Sequence, residues 1–116
     1  MKQIQIAVAA LGIAFVGSAC AADLDAGRKI VEAQCAACHG KDGKTPIDPA
    51  YPKIAGQYSD YLATALHDYQ TGARKNAIMN GMAKPLSAND IQNVAAYLSS
   101  LPSPLTTPTP GRFAAR

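Results

Sequence analysis

The chain has few of the residues from which catalytic and metal sites are usually built. Its 116 residues include only two histidines and three cysteines, and charged residues make up 16% of the total. The net charge of +3 at neutral pH is too small to favour binding to nucleic acid or to an anionic membrane. No segment alternates apolar and polar residues for long enough to predict a sheet. These absences favour an all-α fold and draw attention to the few cysteines and histidines.

The chain also lacks an apolar run that is long enough to be a comfortable transmembrane helix. Its one extended run, residues 4–16, follows a positively charged N-terminus and ends in small residues. This pattern predicts a cleaved secretory signal peptide over residues 1–22 and export to the periplasm. A retained membrane anchor and a lipid-modified Cys20 are the less favoured alternatives. Cleavage removes Cys20, so Cys35 and Cys38 are the two cysteines expected in the mature chain, where an odd thiol would be exposed to oxidation.

The C-terminal residues differ in composition from the rest of the chain. Residues 102–116 are rich in proline, serine and threonine, which predicts a disordered tail. A single domain is therefore expected over residues 23–101. A domain of this size often needs an additional stabilising group.

One five-residue sequence, Cys35-Ala36-Ala37-Cys38-His39, predicts a specific cofactor. On a helical turn, residues three apart point to the same side, so both sulfurs can form thioethers with one porphyrin. The histidine that follows can bind the iron, and this arrangement is the attachment signature of haem c. A structural zinc site would need four ligands, and a thioredoxin-like redox pair would need a βαβ context. Neither is visible, so we expect one covalent haem c.

Three helices are predicted around this motif. The first begins near an aspartate cap at Asp23 or Asp25 and leads into the haem motif. The second begins with Ser59 as N-cap and is ended by Gly72. The third has Ser87 at its N-cap, with an aspartate three residues later, and stops before proline.

Two long stretches, residues 40–57 and 72–86, are predicted to be loops. Loops of this length in a small domain usually have a function, and wrapping a haem is such a function. Arg74 and Lys75 in the second loop are candidates to neutralise a haem propionate, although solvent exposure is the ordinary state of such residues.

The second axial ligand of the iron is less clearly marked. His67 falls opposite the apolar stripe of the second helix and is expected to face water. Met79 and Met82 remain, both in the second loop, where they could reach the iron from the side opposite His39. Their local spacing does not choose between them.

The chain resembles the class I c-type cytochromes, a fold of three main helices and long loops around one haem. More narrowly, it resembles one half of the tandem dihaem periplasmic cytochromes. The resemblance covers residues 23–101. It is carried by the haem motif and by four further sequences: Tyr51-Pro52-Lys53-Ile54-Ala55-Gly56-Gln57, Gly72-Ala73-Arg74, Met79-Asn80-Gly81-Met82 and Leu86-Ser87-Ala88-Asn89-Asp90-Ile91.

The resemblance implies particular roles for several residues. By position relative to the last helix, Met79 is the axial methionine, with Met82 as the fallback. The carbonyl of Pro52 is implied to accept the Nδ1 proton of His39, which would orient the ring. The family also crosses its first and last helices where a glycine meets an aromatic residue, and Gly27 and Tyr97 fit that description.

The function predicted from the sequence is single-electron transfer by a periplasmic monohaem protein with His/Met ligation. Redox proteins would dock transiently at the haem edge, and the carrier itself would be a monomer with no catalytic residue and no stable membrane anchor. A dedicated cytochrome subunit of a periplasmic dehydrogenase or oxidase is one alternative. A five-coordinate haem protein that binds gas or acts as a peroxidase is the other.

Overall fold

The computed structural model describes residues 21–105. The predicted signal peptide therefore lies almost entirely outside the described residues, as does the tail beyond residue 105. The described chain is helical and contains no strand. In chain order its elements are α1 (Leu24–Ile30), a π-helical segment (Val31–Cys35), α2 (Ala36–His39), α3 (Ser59–Thr71), α4 (Ala77–Ala83) and α5 (Ala88–Ser100). No helix between residues 21 and 105 is long and apolar enough to cross a lipid bilayer.

The helix caps explain where α1 and α5 begin. The Asp23 side chain accepts hydrogen bonds from the backbone N–H groups of Asp25 and Ala26, in the first turn of α1. At α5, Ser87 and Asp90 form a reciprocal capping box, as predicted. The helix ends at Ser100, just before Leu101 and the proline that follows. In α3 the prediction was off by one residue, because Ser59 is already helical and the cap position before it makes no side-chain hydrogen bond.

Helices α1 and α5 cross in direct backbone contact at Gly27. A Cβ atom on Gly27 would lie 2.1 Å from the carbonyl oxygen of Asn93 and 2.9 Å from Cβ of Tyr97. Only glycine allows this approach, so the implied crossing of Gly27 and Tyr97 is present in the structure. The contact also brings Asn93 Oδ1 within 2.8 Å of the Asp23 N–H, which fixes the start of α1.

The core is small and lies between α1, α3 and α5. Its buried cluster consists of Val31, Leu62, Val94, Ala95 and Leu98. Each comes from the apolar stripe of its helix, and packing of these stripes is the main support for helices of this length. Tyr58, at the N-cap position of α3, is 75% exposed.

Residues 72–86 are not the continuous loop that the sequence predicts. They contain α4, which begins after Asn76, whose side chain accepts hydrogen bonds from the N–H groups of Ile78 and Met79. Both candidate methionines therefore lie on a helix. Sequence analysis missed it because the segment is short and contains Gly81, and glycine is a poor helix former.

Candidate cofactor site

His39 is buried, with only 7% of its surface exposed, at the end of α2. Its Nδ1 lies 2.9 Å from the carbonyl oxygen of Pro52. The ring of Tyr51 lies beside it, with ring centroids 6.3 Å apart. A carbonyl can only accept, so Nδ1 carries the proton and Nε2 keeps a lone pair that can bind a metal. The contact implied by the resemblance is thus present, and it orients the imidazole with Nε2 available to a metal.

The π-helical segment explains why His39 faces inward. In a regular α-helix His39 would be rotated by about 120° from Gly27, because successive residues advance by about 100°. A π turn accommodates one extra residue, which reduces this offset to about 20°. Gly27, Val31 and His39 are all buried, as a shared face requires. The segment therefore sets the direction of the whole Cys-x-x-Cys-His motif relative to α1.

The two cysteines occupy the end of the π segment and the middle of α2. Cys35 and Cys38 are both half-buried, and neither forms a disulfide. Burial raises the pKa of the Cys35 thiol to about 11, which favours the neutral thiol.

The first loop folds back onto the motif through backbone hydrogen bonds. The N–H of Ile47 donates to the carbonyl of Cys38 at 3.1 Å, yet the Ile47 side chain is 72% exposed. Gly40 ends α2 with a φ of 84°, and a Cβ there would lie 2.2 Å from the Thr45 carbonyl oxygen. The glycine after His39 is thus required for the loop to return so closely to the haem motif.

The two candidate methionines differ in burial. Met79 is half-buried near the start of α4, whereas Met82 is 39% exposed. The choice of Met79 as the axial ligand stays a prediction. Three amides that sequence analysis did not single out, Gln70, Asn76 and Asn80, tie α4 to its surroundings. The one available sequence signal was Asn76, an N-cap residue type three positions before Met79.

Arg74 lies among aromatic side chains. Its Nη1 is 3.3 Å from the hydroxyl oxygen of Tyr61, and its guanidinium lies over the ring of Tyr69 at 5.2 Å from the centroid. The hydrogen bond with Tyr61 is the largest cause that raises the pKa of Arg74, so its charge is permanent. Contact between Arg74 and a haem propionate stays a prediction.

The described residues do not support the alternative metal sites. His67 is exposed on α3, as its position on the helix predicts. Between residues 21 and 105, no group of three or more His, Cys, Asp or Glu side chains could hold a metal ion. A structural zinc site is therefore not formed by this part of the chain.

The residues present fit a covalent haem. The motif supplies two thiols at thioether spacing and an imidazole whose Nδ1 is already engaged, and α4 supplies a thioether sulfur. Large apolar side chains such as Ile47 and Ile78, 72% and 54% exposed, are suited to contact an apolar ring rather than water.

Comparisons with known proteins identify the family. The cytochrome c family model matches residues 24–102. The chain is 46% identical over 84 residues to the thiosulfate dehydrogenase electron acceptor of Thiomonas intermedia, covering 72% of this chain and 39% of that protein. It is 45% identical over 69 residues to cytochrome c-554(548) of Halomonas halodenitrificans, covering 57% of this chain and 82% of that protein.

A solved structure shares the fold as well. Reduced recombinant cytochrome c4 from Pseudomonas stutzeri matches with a TM-score of 0.64 and 41% identity, covering 71% of this chain and 47% of that one. The chain thus spans less than half of the length of this structure and of the Thiomonas relative, and it corresponds to one half of a dihaem cytochrome. It belongs to the cytochrome c family, with an all-α class I fold and haem c as its cofactor, for which Cys35-Ala36-Ala37-Cys38-His39 is the fitting attachment sequence.

Proposed function

We propose that this protein is a periplasmic single-electron carrier whose haem iron is bound by His39 and Met79. When bound, haem c supplies an iron centre that changes its charge by one electron without making or breaking bonds to substrate. Cys35 and Cys38 would hold the ring through thioethers. The chain's own contribution is to hold both ligands still in the two oxidation states.

The observation that carries the proposal is the hydrogen bond between His39 Nδ1 and the Pro52 carbonyl. It fixes the tautomer and the direction of the imidazole, so the ring does not have to reorient when the charge on the iron changes. On the other side, the half-buried Met79 lies in a helix whose first N–H groups are capped by Asn76. A soft sulfur ligand favours the ferrous state, so we expect a clearly positive potential.

No protein residue is assigned a catalytic role. The part of the chain near His39 offers no second histidine, since His67 is exposed on α3. With both axial positions filled by the protein, a small molecule would have to displace a ligand before it could react. Electron transfer to a docked redox protein is therefore a better fit than gas binding or peroxidase activity.

An optical redox titration of the holoprotein tests this proposal. We expect a single one-electron wave at positive potential, and a weak red charge-transfer band in the ferric protein that reports sulfur bound to iron. The ferrous protein should resist carbon monoxide. Rapid binding of carbon monoxide by freshly purified protein would refute the His/Met carrier and favour a five-coordinate haem protein.

A second candidate is an electron-accepting subunit of a periplasmic dehydrogenase. The Thiomonas relative bears the name of a thiosulfate dehydrogenase electron acceptor, and a protein that accepts electrons from a dehydrogenase could do so as its bound subunit. Both roles use the same haem chemistry and differ in the lifetime of the complex. Stable co-purification of a dehydrogenase with the tagged chain would support the subunit, whereas elution as a free monomer would support the carrier.

A further inference from the structure

Asn80, the residue after Met79, uses its whole amide group in hydrogen bonds to three backbone segments. Its Nδ2 lies 2.6 Å from the carbonyl oxygen of Tyr69 and 3.0 Å from that of Arg74. Its Oδ1 accepts a hydrogen bond from the N–H of Asn76 at 2.8 Å. The side chain is half-buried. Every strong polar contact of this amide is therefore made within the protein.

These three partners lie on three separate pieces of the chain. Tyr69 is in the last turns of α3, Arg74 is in the turn that follows, and Asn76 is the N-cap of α4. Asn80 therefore joins the end of α3, the turn and the start of α4. A change in the direction of α4 would break at least one of its hydrogen bonds.

Helix α4 needs such support because little else holds it. It has seven residues, too few for a stable isolated helix, and Ala83 is its one fully buried residue. A second amide acts at its other end, where Gln70 Nε2 lies 2.9 Å from the carbonyl oxygen of Ala83 and 2.6 Å from that of Leu86. Amide hydrogen bonds from Asn80 and Gln70 thus hold both ends of α4 against α3.

We propose that Asn80 is a positioning residue that keeps the Met79 sulfur at the haem iron. This inference rests on the proposed His/Met ligation. The carbonyls of Tyr69 and Arg74 need a donor, and the two N–H bonds of the Asn80 amide supply it. Without them α4 gains orientational freedom, and the fraction of molecules with methionine on the iron falls.

The chain offers a matched pair of substitutions that isolates these donors. Asn80→Asp keeps the shape of the side chain and the acceptor for the Asn76 N–H, but it places carboxylate oxygen against two carbonyls. Asn76→Asp makes the same chemical change one helical turn earlier, where the side chain only accepts hydrogen bonds. Aspartate and asparagine are equally good N-caps, so this control adds the same charge without loss of a donor.

The experiment titrates the ferric holoproteins with imidazole, which competes with methionine for the iron. We expect Asn80→Asp to bind imidazole about tenfold more tightly than wild type, since unpaired carbonyls destabilise the methionine-bound state. Its red charge-transfer band should also be lost at a lower temperature. Asn76→Asp should match wild type within about twofold, because its cap is retained. If Asn80→Asp yields no holoprotein, Asn80→Ala decides, since it removes the donors without adding charge.

Each outcome has one meaning. Wild-type imidazole affinity in both Asn80 variants, with the red band intact, would overturn the role of Asn80 and leave the carrier proposal standing. Equal tightening in Asn80→Asp and Asn76→Asp would assign the effect to charge and would also overturn it. A wild-type ferric protein without the red band would refute the His/Met ligation itself.

Discussion

Substitution of Gly27 by alanine should destabilise the holoprotein, because α1 and α5 touch there through their backbones. The new Cβ would lie 2.1 Å from the Asn93 carbonyl oxygen and 2.6 Å from its carbon. An ordinary van der Waals contact of a Cβ atom lies at 3.4–4 Å, and a backbone carbonyl inside a helix cannot rotate away. The helices must therefore separate by about 1 Å, which also weakens the packing around the crossing.

Two effects of opposite sign set the size of the change. Overpacking of this kind costs about 1–3 kcal/mol and occasionally more. Alanine regains about 1 kcal/mol of helix propensity, and a clash with rigid backbone is expected to lie at the upper end of the range or beyond. We therefore expect a net loss of about 2–3 kcal/mol in the free energy of unfolding.

Gly81→Ala is the matched control, since it makes the same change inside a helix where no protein atom beyond the neighbouring residues and the backbone of that helix lies within 4 Å of the new Cβ. Here only the propensity term acts, so the holoprotein should gain about 0.5–1 kcal/mol. Guanidinium unfolding of both ferric holoproteins, followed by circular dichroism, measures the two changes. A Gly27→Ala protein as stable as wild type would show that the backbone contact does not limit the approach of α1 and α5.

Three further predictions concern the axial ligands of the iron, the covalent attachment of haem and the loss of stability at acid pH. Met79→Ala should abolish the red charge-transfer band of the ferric protein and let the ferrous protein bind carbon monoxide, whereas Met82→Ala should keep the band. The reverse result would show that Met82 is the axial ligand. Replacement of both Cys35 and Cys38 by serine should remove the haem-stained band from a denaturing gel, while either single variant should keep one thioether and some stain. Hydrogen bonds donated by the Ser87 hydroxyl, which is the largest cause, and by the Ser87 backbone N–H hold the pKa of Asp90 below its ordinary value of 3.8. This carboxylate stabilises the fold above pH 3.8, and its contribution is lost as the pH falls through its lower folded-state pKa. The Asp90→Asn variant should therefore have a lower urea midpoint than wild type at pH 7, and this difference should shrink below pH 3.8.

Features set by neighbouring residues could be predicted from the sequence. The α5 capping box needs only Ser87 and Asp90, three residues apart, and its helix follows from one apolar stripe. The haem motif is equally local. The exposure of His67 to solvent follows from the period of the α-helix alone.

Features set by distant contacts could not be predicted in this way. Helix α4 depends on side chains that bind backbone atoms 11 and 16 residues away, from Asn80 to Tyr69 and from Gln70 to Leu86. The contact between His39 and Pro52 spans 13 residues of irregular chain and was implied by the family resemblance rather than by spacing. The π-helical segment also has no residue pattern of its own, since its five residues suit an α-helix equally well.

That π-helical segment has a consequence for which mutations the haem motif can tolerate. Glu32 and Ala33 are exposed and Gln34 is half-buried, so many side chains should be acceptable at all three positions. The number of residues between Gly27 and Cys35 is coupled to the pitch of the segment, because loss of one residue with a return to α-helical pitch would again leave His39 about 20° from Gly27. A residue added without a second π turn would instead rotate His39 by about 100°, away from the carbonyl that orients it. Across relatives of this chain, the interval should therefore vary freely in sequence and have either this length with a π turn or one residue fewer without it.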